Sequence, residues 1–402
     1  MGNYGWMDEW LEEDDFAKIV AEAFSRSEEE VVEIKPMYDV KGNKIDLVHD
    51  LDYSDKRKVD EFKQRVKLGL RIPKIEDAHE NIKVSPELIE YLLEVDKFQE
   101  FIDALPDVKS ITFIVKKVEP TQDWAKFIEV ERLLKEKNVE MYITNGAGIT
   151  PPHDILYRLD EVLSAAKQLE DWVNEINTAK VDEKPLSPLE KFIYAYMIAK
   201  DRIYNKECDK FNRWLSRDVV AILNNDYCVC AGFALLLNEL CAGVGIPCIN
   251  KGVRVPGDHE INCVLIKDDK YDIDGLYYAD PTKDSKKQGN TLFSCLLPNV
   301  EDVFDLWSRE YGVCREVYFE EKELFPDEES LKRAQKNTKK IGYQNMFDAL
   351  FAVFISKGKT KRDAAEYLKP SVHKVQAYPD RYKGNWVHDA AKANGLIQDY
   401  KR

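Results

Sequence analysis

A thiol, an imidazole and a carboxylate follow one another in the middle of the chain, at Cys230, His259 and Asp280. These are the parts of a nucleophilic site in which a base takes the proton of the thiol and a carboxylate orients the base. The expected chemistry is attack of the sulfur on an acyl or amide carbon. We therefore predict that these three residues are catalytic.

Cys230 is favoured as the nucleophile because its surroundings predict the start of a helix. Residues 224–226 form a turn-favouring run, and residues 231–240 are apolar at helical spacing. The unpaired N–H groups and the macrodipole at a helix N-terminus stabilise a thiolate. Cys228 is the rival thiol, but it lies in the incoming loop, two residues before the helix.

His259 and Asp280 are predicted to meet through a hairpin. His259 precedes the β-branched strand pattern of residues 261–266, and Asp280 ends the strand pattern of residues 275–279. The second strand therefore returns Asp280 to the level of His259, where its carboxylate can hold the imidazole. The earlier acids of that strand, Asp272 and Asp274, are less favoured because they precede the strand's end.

The cysteine spacing leaves a structural zinc site as an alternative, since Cys228 and Cys230 form a close pair. Cys241, Cys248 and Cys263 follow downstream. The Cys-x-Cys gap is too tight for the usual zinc knuckle. The sequence predicts no metal and no cofactor.

The motifs around these residues resemble the transglutaminase-like superfamily of thiol enzymes. The relevant segments are residues 228–234 (Cys-Val-Cys-Ala-Gly-Phe-Ala), 242–247 (Ala-Gly-Val-Gly-Ile-Pro), 259–262 (His-Glu-Ile-Asn) and 280–282 (Asp-Pro-Thr). The resemblance covers roughly residues 190–290. It implies an α+β, papain-like core in which a helix bearing Cys230 packs on an antiparallel sheet bearing His259 and Asp280.

The sequence departs from the family pattern at two positions. Cys228 stands where glycine is usual, and Ile261 replaces an aromatic residue, so the wall of a substrate groove is expected to differ. The backbone N–H of Cys230 is the expected oxyanion donor. A second donor is not identifiable from the sequence.

Elements before the core predict an N-terminal α/β domain over residues 1–180. The expected order is a helix at 8–26, a strand at 31–35, a hairpin around Gly42-Asn43, a helix at 86–105 and a strand–helix–strand unit at 110–144. A helix at 153–177 and a linker at 178–188 should follow. This domain matches no family that we recognise.

The catalytic core is predicted over residues 181–325, beginning with a capping box at Ser187 and a helix that ends near Tyr204. A basic, helical C-terminal region is predicted over residues 326–402. Its helices are expected at 328–341, 344–357 and 360–369, followed by an aromatic segment near Trp386.

Composition limits the partners. The chain of 402 residues carries a net charge of −15, which disfavours binding to nucleic acid or to an anionic membrane surface. No apolar stretch is long enough to span a bilayer, and no secretory signal is recognised at the N-terminus, so a cytoplasmic location is expected, with export by a route that uses no N-terminal signal as the alternative. The oligomeric state is not predicted.

Two functions fit the sequence. The first is a thiol enzyme acting on a protein or peptide amide, as a protease, amidase, deamidase or transglutaminase. The triad is the same for hydrolysis and transamidation, so the sequence does not distinguish them. The second is a binding or scaffold module that keeps the fold without turnover.

Overall fold

The structure is a computed structural model of the chain. It describes residues 37–39, 44–45, 51–53, 60, 63, 81–103, 108–115, 124–145, 155–205, 218–225, 227–255, 257–285, 290–303, 316–317, 324–325, 327–383 and 385–397. Met37–Arg402 forms one compact unit. The predicted helix at 8–26 and strand at 31–35 lie outside the described residues.

A mixed α+β architecture is built from two four-stranded sheets and the helices around them. The first sheet is entirely parallel and has the order β3-β4-β5-β6. Its strands are β3 (Leu51–Tyr53), β4 (Asn81–Val84), β5 (Ser110–Val115) and β6 (Glu140–Asn145). The predicted parallel pairing of the last two strands is confirmed.

The predicted hairpin around Gly42-Asn43 is also confirmed. Strands β1 (Met37–Asp39) and β2 (Lys44–Ile45) pair antiparallel. Strand β1 also pairs in parallel with β7 (Ile155–Leu156).

The helices of this region differ in part from the predicted ones. Ser85 caps helix α1 (Pro86–Glu94), since its side chain accepts a hydrogen bond from Leu88 N. The predicted helix to residue 105 is wrong because Asp96, with φ at 53°, separates α1 from α2 (Phe98–Asp103). Helix α3 (Ala125–Glu136) is the helix of the predicted strand–helix–strand unit at 110–144.

Two further predictions need correction. The helix expected from residue 153 begins later, as α4 (Leu159–Thr178), because strand β7 precedes it. The expected linker at 178–188 contains a short antiparallel hairpin, β8 (Lys180–Val181) and β9 (Lys184–Pro185). The predicted domain boundary near residue 180 stays a prediction.

The next elements lead into the Cys230 helix. Helix α5 (Pro188–Lys200) begins after Ser187, whose backbone N–H donates to the Glu190 carboxylate as the capping box predicts. It ends before the predicted Tyr204 because β10 (Ile203–Tyr204) pairs in parallel with β11 (Tyr227–Cys228). Helix α6 (Val219–Asn225) lies between those two strands in the chain.

The second sheet is antiparallel and has the order β14-β13-β12-β15. Its strands are β12 (Cys248–Val255), β13 (Gly257–Asp268), β14 (Ile273–Ala279) and β15 (Glu316–Val317). Helix α7 (Cys230–Gly243) packs against β12 and β13. The short helix α8 (Pro281–Asp284) follows β14 directly.

The C-terminal region is helical, as predicted, with changed boundaries. Its helices are α9 (Glu328–Asn337), α10 (Tyr343–Ser356), α11 (Lys361–Ala377) and α12 (Trp386–Ala393), with a 3-10 turn at Pro379–Tyr382. Helix α11 continues past Pro370, where the sequence predicted an end, because both flanks of the proline keep buried residues, Leu368 and Val375. Helix α9 ends earlier than predicted.

A continuous cluster of buried apolar side chains joins the parallel sheet, the α7 layer and the C-terminal helices. Among the described residues, no helix is both long and apolar enough to cross a membrane. In the same residues, no group of three histidine, cysteine or acidic side chains could hold a metal ion.

Candidate active site

Cys230 is the first residue of α7, as the sequence predicted. The preceding Val229 has an extended backbone and provides no side-chain cap, so the first N–H groups of the helix have no acceptor from that side chain. The Cys230 side chain is partly exposed. The thiol thus lies at the positive end of the helix dipole, within reach of solvent.

Cys228 has a different environment. It lies in strand β11 and is fully buried, and its carbonyl accepts a hydrogen bond from Asn205 N at 3.1 Å. Because β11 pairs with β10, this strand fixes the chain immediately before the helix. The structure therefore gives Cys228 a place in the strand that leads to Cys230.

His259 lies on β13, opposite Val253 of β12, and its side chain is nearly buried. Its Nε2 is 2.8 Å from Asp280 Oδ2. A hydrogen bond also joins its side chain to Cys230. Since Nε2 faces the carboxylate, Nδ1 is the ring atom that faces the sulfur.

Asp280 is fully buried directly after the last residue of β14. One carboxylate oxygen faces His259, and the other accepts the backbone N–H of Lys283 at 3.1 Å. Asp280 is therefore also the N-cap of α8, so the turn role and the contact with the imidazole coexist. The structure brings Cys230, His259 and Asp280 into one chain of contacts.

The charges of the site favour an ion pair between sulfur and imidazole. Burial lowers the pKa of His259, but the Asp280 carboxylate outweighs this and raises that pKa to about 10. Burial raises the pKa of the Cys230 thiol, but the hydrogen bond to His259 and its charge bring that pKa below its ordinary value.

A backbone donor that the sequence does not predict also contacts the sulfur. The backbone N–H of Glu260 donates a hydrogen bond to Cys230. On β13, the N–H of Leu265 donates to Pro247 O, which lies on the β12 side. Because successive N–H groups of a strand point to opposite sides, the N–H groups of even-numbered residues point towards β14. Pairing with β14 stops at Asn262, which leaves Glu260 N–H beyond the last paired residue. This donor could be predicted only from the lengths of β13 and β14, and the sequence does not fix those lengths.

The predicted alternatives lie elsewhere. Asp272 lies in the β13–β14 turn, and Asp274 pairs with Lys267 at the far end of the hairpin. The structure does not bring the side chains of Asp272 and Asp274 to His259. Asn262, on β13, donates its amide to Ala234 O at 2.8 Å and so ties β13 to the Cys230 helix.

Comparison with known proteins adds little. No protein-family model matches the sequence, and a search of curated proteins gives no match. Part of the chain is similar to a crystal structure of a TGase, with 14% sequence identity and a TM-score of 0.25. The match covers 39% of this chain and 38% of that one, so this chain spans about two fifths of that protein's length.

Proposed function

We propose that the protein is a thiol-dependent acyl-transfer enzyme with Cys230 as nucleophile, His259 as general base and acid, and Asp280 as the residue that orients the imidazole. The observation that carries the proposal is the continuous contact from Cys230 through His259 to Asp280 at the start of a helix. In this proposal, α7 and the antiparallel sheet form a transglutaminase-like, papain-like core.

The first step acylates the enzyme. The Cys230 thiolate attacks the carbonyl carbon of an amide and forms a C–S bond, while the charge moves to the carbonyl oxygen. The backbone N–H of Cys230, unpaired at the helix start, donates to that oxygen. The His259 imidazolium then protonates the amine as the C–N bond breaks, which leaves a thioester and a neutral imidazole.

The second step regenerates the thiol. Water or a primary amine attacks the thioester, and His259 takes its proton. The C–S bond breaks, and the sulfur leaves as a thiolate beside the imidazolium. Water gives hydrolysis and an amine gives transamidation, with the same three residues in each role.

Fast alkylation at a single thiol tests the nucleophile. The protein is treated with a small excess of iodoacetamide at neutral pH, and labelled peptides are identified over time by mass spectrometry. We expect Cys230 to react first, since its pKa is lowered and its side chain is partly exposed. Cys230→Ala should abolish the fast phase.

Cys228→Ala is the matched control, since Cys228 is two residues before Cys230 and its thiol is buried. It should leave the fast phase in place. Loss of the fast phase in Cys228→Ala, with retention in Cys230→Ala, would reverse the assignment. Slow labelling of every thiol in the folded wild-type protein would favour the non-catalytic binding module instead.

The acyl acceptor is identified by a second assay. A glutamine-containing protein substrate is incubated with a fluorescent primary amine, and both amine incorporation and release of ammonia are measured. Incorporation that requires Cys230 identifies transamidation. Ammonia release without incorporation identifies deamidation, and cleavage of the substrate chain identifies a protease.

A further inference from the structure

The main chain of Asp280, like its carboxylate, makes two hydrogen bonds to other parts of the chain. Its N–H donates to Ser294 O at 3.0 Å, and its C=O accepts the Tyr196 hydroxyl at 3.0 Å. The first contact comes from the segment after α8, and the second comes from helix α5. Two separate parts of the chain therefore set where Asp280 meets His259.

One buried side chain, Asp284, holds both of those parts. It accepts hydrogen bonds from Ser294 N at 2.8 Å and from the Tyr196 hydroxyl at 2.7 Å, whose single proton is shared in a three-centre bond with the Asp280 C=O. It also accepts from the Thr291 hydroxyl at 2.6 Å and from Phe293 N at 2.8 Å. The carboxylate thus binds the two groups that fix the Asp280 main chain.

Asp284 is a costly residue to place there, because a buried carboxylate loses its hydration. It is fully buried, and burial raises its pKa, although its hydrogen bonds and the positive charge of Lys200 oppose the rise. The Lys200 side chain is itself buried; it donates to Asn290 and lies 4.9 Å from the centre of the Tyr367 ring. Tyr196, Cys295 and Tyr367 are further titratable groups nearby, and burial raises the pKa of each.

We infer that Asp284 is a positioning residue for the site: through Tyr196 and the Thr291–Ser294 segment it fixes Asp280 where its carboxylate meets His259. The inference rests on the proposed function, since it assigns a role in orienting the catalytic imidazole. Asp284 itself acts through Asp280.

Asp284→Asn is the direct test. An amide has one acceptor oxygen where the carboxylate has two, so either Ser294 N or Phe293 N faces an N–H₂ group and loses its acceptor. Asp280 should then shift relative to His259. We expect alkylation of Cys230 at neutral pH to slow by roughly ten- to a hundredfold, the size of effect that small misplacements produce. The pH at which the rate rises should move upward.

The matched control is Asp268→Asn. Asp268 is also buried and also accepts two backbone N–H groups, from Leu189 at 2.8 Å and Lys270 at 2.9 Å, but at the other end of β13. Asp268→Asn should lower the stability as Asp284→Asn does, but the pH profile of Cys230 alkylation should stay as in the wild type. A role for Asp284 in stability alone would leave both profiles unchanged.

Tyr196→Phe keeps the test decisive if Asp284→Asn does not fold. It removes only the hydroxyl between Asp284 and the Asp280 carbonyl, so a slower rate and a raised pH profile are expected. Tyr277→Phe, which removes a hydroxyl that donates to Lys339 O at 3.0 Å outside the site, should have neither effect. A folded Tyr196→Phe with the wild-type profile overturns the inference.

An NMR measurement separates this inference from the proposed function. The imidazole ¹⁵N and N–H resonances of His259, assigned by their loss in His259→Gln, report the hydrogen bond to Asp280 whether or not Cys230 reacts. They should change in Asp284→Asn and stay unchanged in Asp268→Asn. Slow alkylation in the wild type would refute the proposed function, whereas unchanged His259 resonances in Asp284→Asn would refute only the positioning role.

Discussion

At the scale of single residues, two opposing effects set the pKa of the Cys230 thiol. Burial alone would disfavour a thiolate there, and the hydrogen bond and charge of His259, with the N–H of Glu260, reverse that effect. The imidazolium in turn depends on Asp280, whose carboxylate overcomes the burial of the ring. Asp280 therefore controls the protonation of the Cys230 thiol through His259.

Asp280→Asn should make this dependence visible in the pH profile. In the wild type, the lowered pKa of Cys230 means that the alkylation rate rises with pH below the range of an ordinary thiol. Without the carboxylate, the imidazole loses its proton at lower pH and no longer stabilises the thiolate, so the rise should move to higher pH. A thiol pKa that is higher by about 1 lowers the thiolate population about tenfold at any fixed pH well below that pKa.

The measurement is the second-order rate of iodoacetamide labelling of Cys230 between pH 5 and pH 10, roughly the range over which thiols and imidazoles titrate. Circular dichroism shows whether the variant is folded. An unchanged profile in a folded Asp280→Asn variant would mean that Asp280 serves only as the cap of α8.

The sequence could predict where Cys230, His259 and Asp280 lie because each position has a local signature: a helix start, a strand entry and a strand end. It could not predict Tyr196, Asp284 or the N–H of Glu260. Tyr196 lies far before Asp280 in the chain and reaches it only through packing of α5 beside α8. In the sequence, nothing distinguishes Asp284 from other acidic residues in polar loops.

At the scale of secondary-structure elements, strand β14 is held against the end of helix α9. Thr338, just after α9, uses its hydroxyl oxygen to accept a hydrogen bond from Leu276 N at 2.8 Å. Gly275 makes this approach possible, since an added Cβ would lie 2.9 Å from Thr338 Cα. The sequence predicted the strand and the helix, but a contact between distant segments leaves no local pattern.

Gly275→Ala should therefore destabilise the protein. The methyl group would meet backbone, which cannot move away as a flexible side chain can, and overpacking of this kind costs about 1–3 kcal/mol. The free energy of unfolding, measured by urea titration, should fall by about that amount. The labelling rate of Cys230 should stay close to the wild-type value, because the contact is remote from Asp280.

Gly342→Ala is the control for the loss of a glycine. It precedes α10 with an ordinary φ of −64°, and an added Cβ meets nothing within 4 Å. Its unfolding free energy should stay within about 0.5 kcal/mol of the wild type. Equal effects of the two substitutions would show that the close approach of Thr338 to Gly275 is unimportant for stability.

At the scale of the whole molecule, the C-terminal helices hold the segment that positions Asp280. Trp386 Nε1 donates to Leu292 O at 2.9 Å, and Asn385 donates its amide to Phe293 O at 2.6 Å. Leu292 N donates to the Ser371 hydroxyl oxygen at 3.2 Å. Helices α11 and α12 thus reach the same segment that Asp284 binds from the other side.

The sequence alone supports a regulatory or targeting part outside the core, because the segments before and after residues 181–325 carry no catalytic signature of their own. In the structure, helix α10 packs on α5, which carries Tyr196, and its buried side chains belong to the common core. A basic, helical sequence does not reveal which surface it covers.

Removal of residues 327–402 should consequently abolish fast labelling of Cys230, although every predicted catalytic residue remains. The shortened chain would expose the apolar face of α5 and leave the Leu292 and Phe293 carbonyls without donors, so reduced solubility is also expected. Trp386→Phe is the gentler variant: it keeps an aromatic ring and removes one hydrogen bond, at a cost of about 1 kcal/mol. Its labelling rate should fall less than that of the shortened chain. A soluble, folded chain ending at residue 326 that labels Cys230 at the wild-type rate would show instead that the core assembles its site alone, with the C-terminal helices as an independent module.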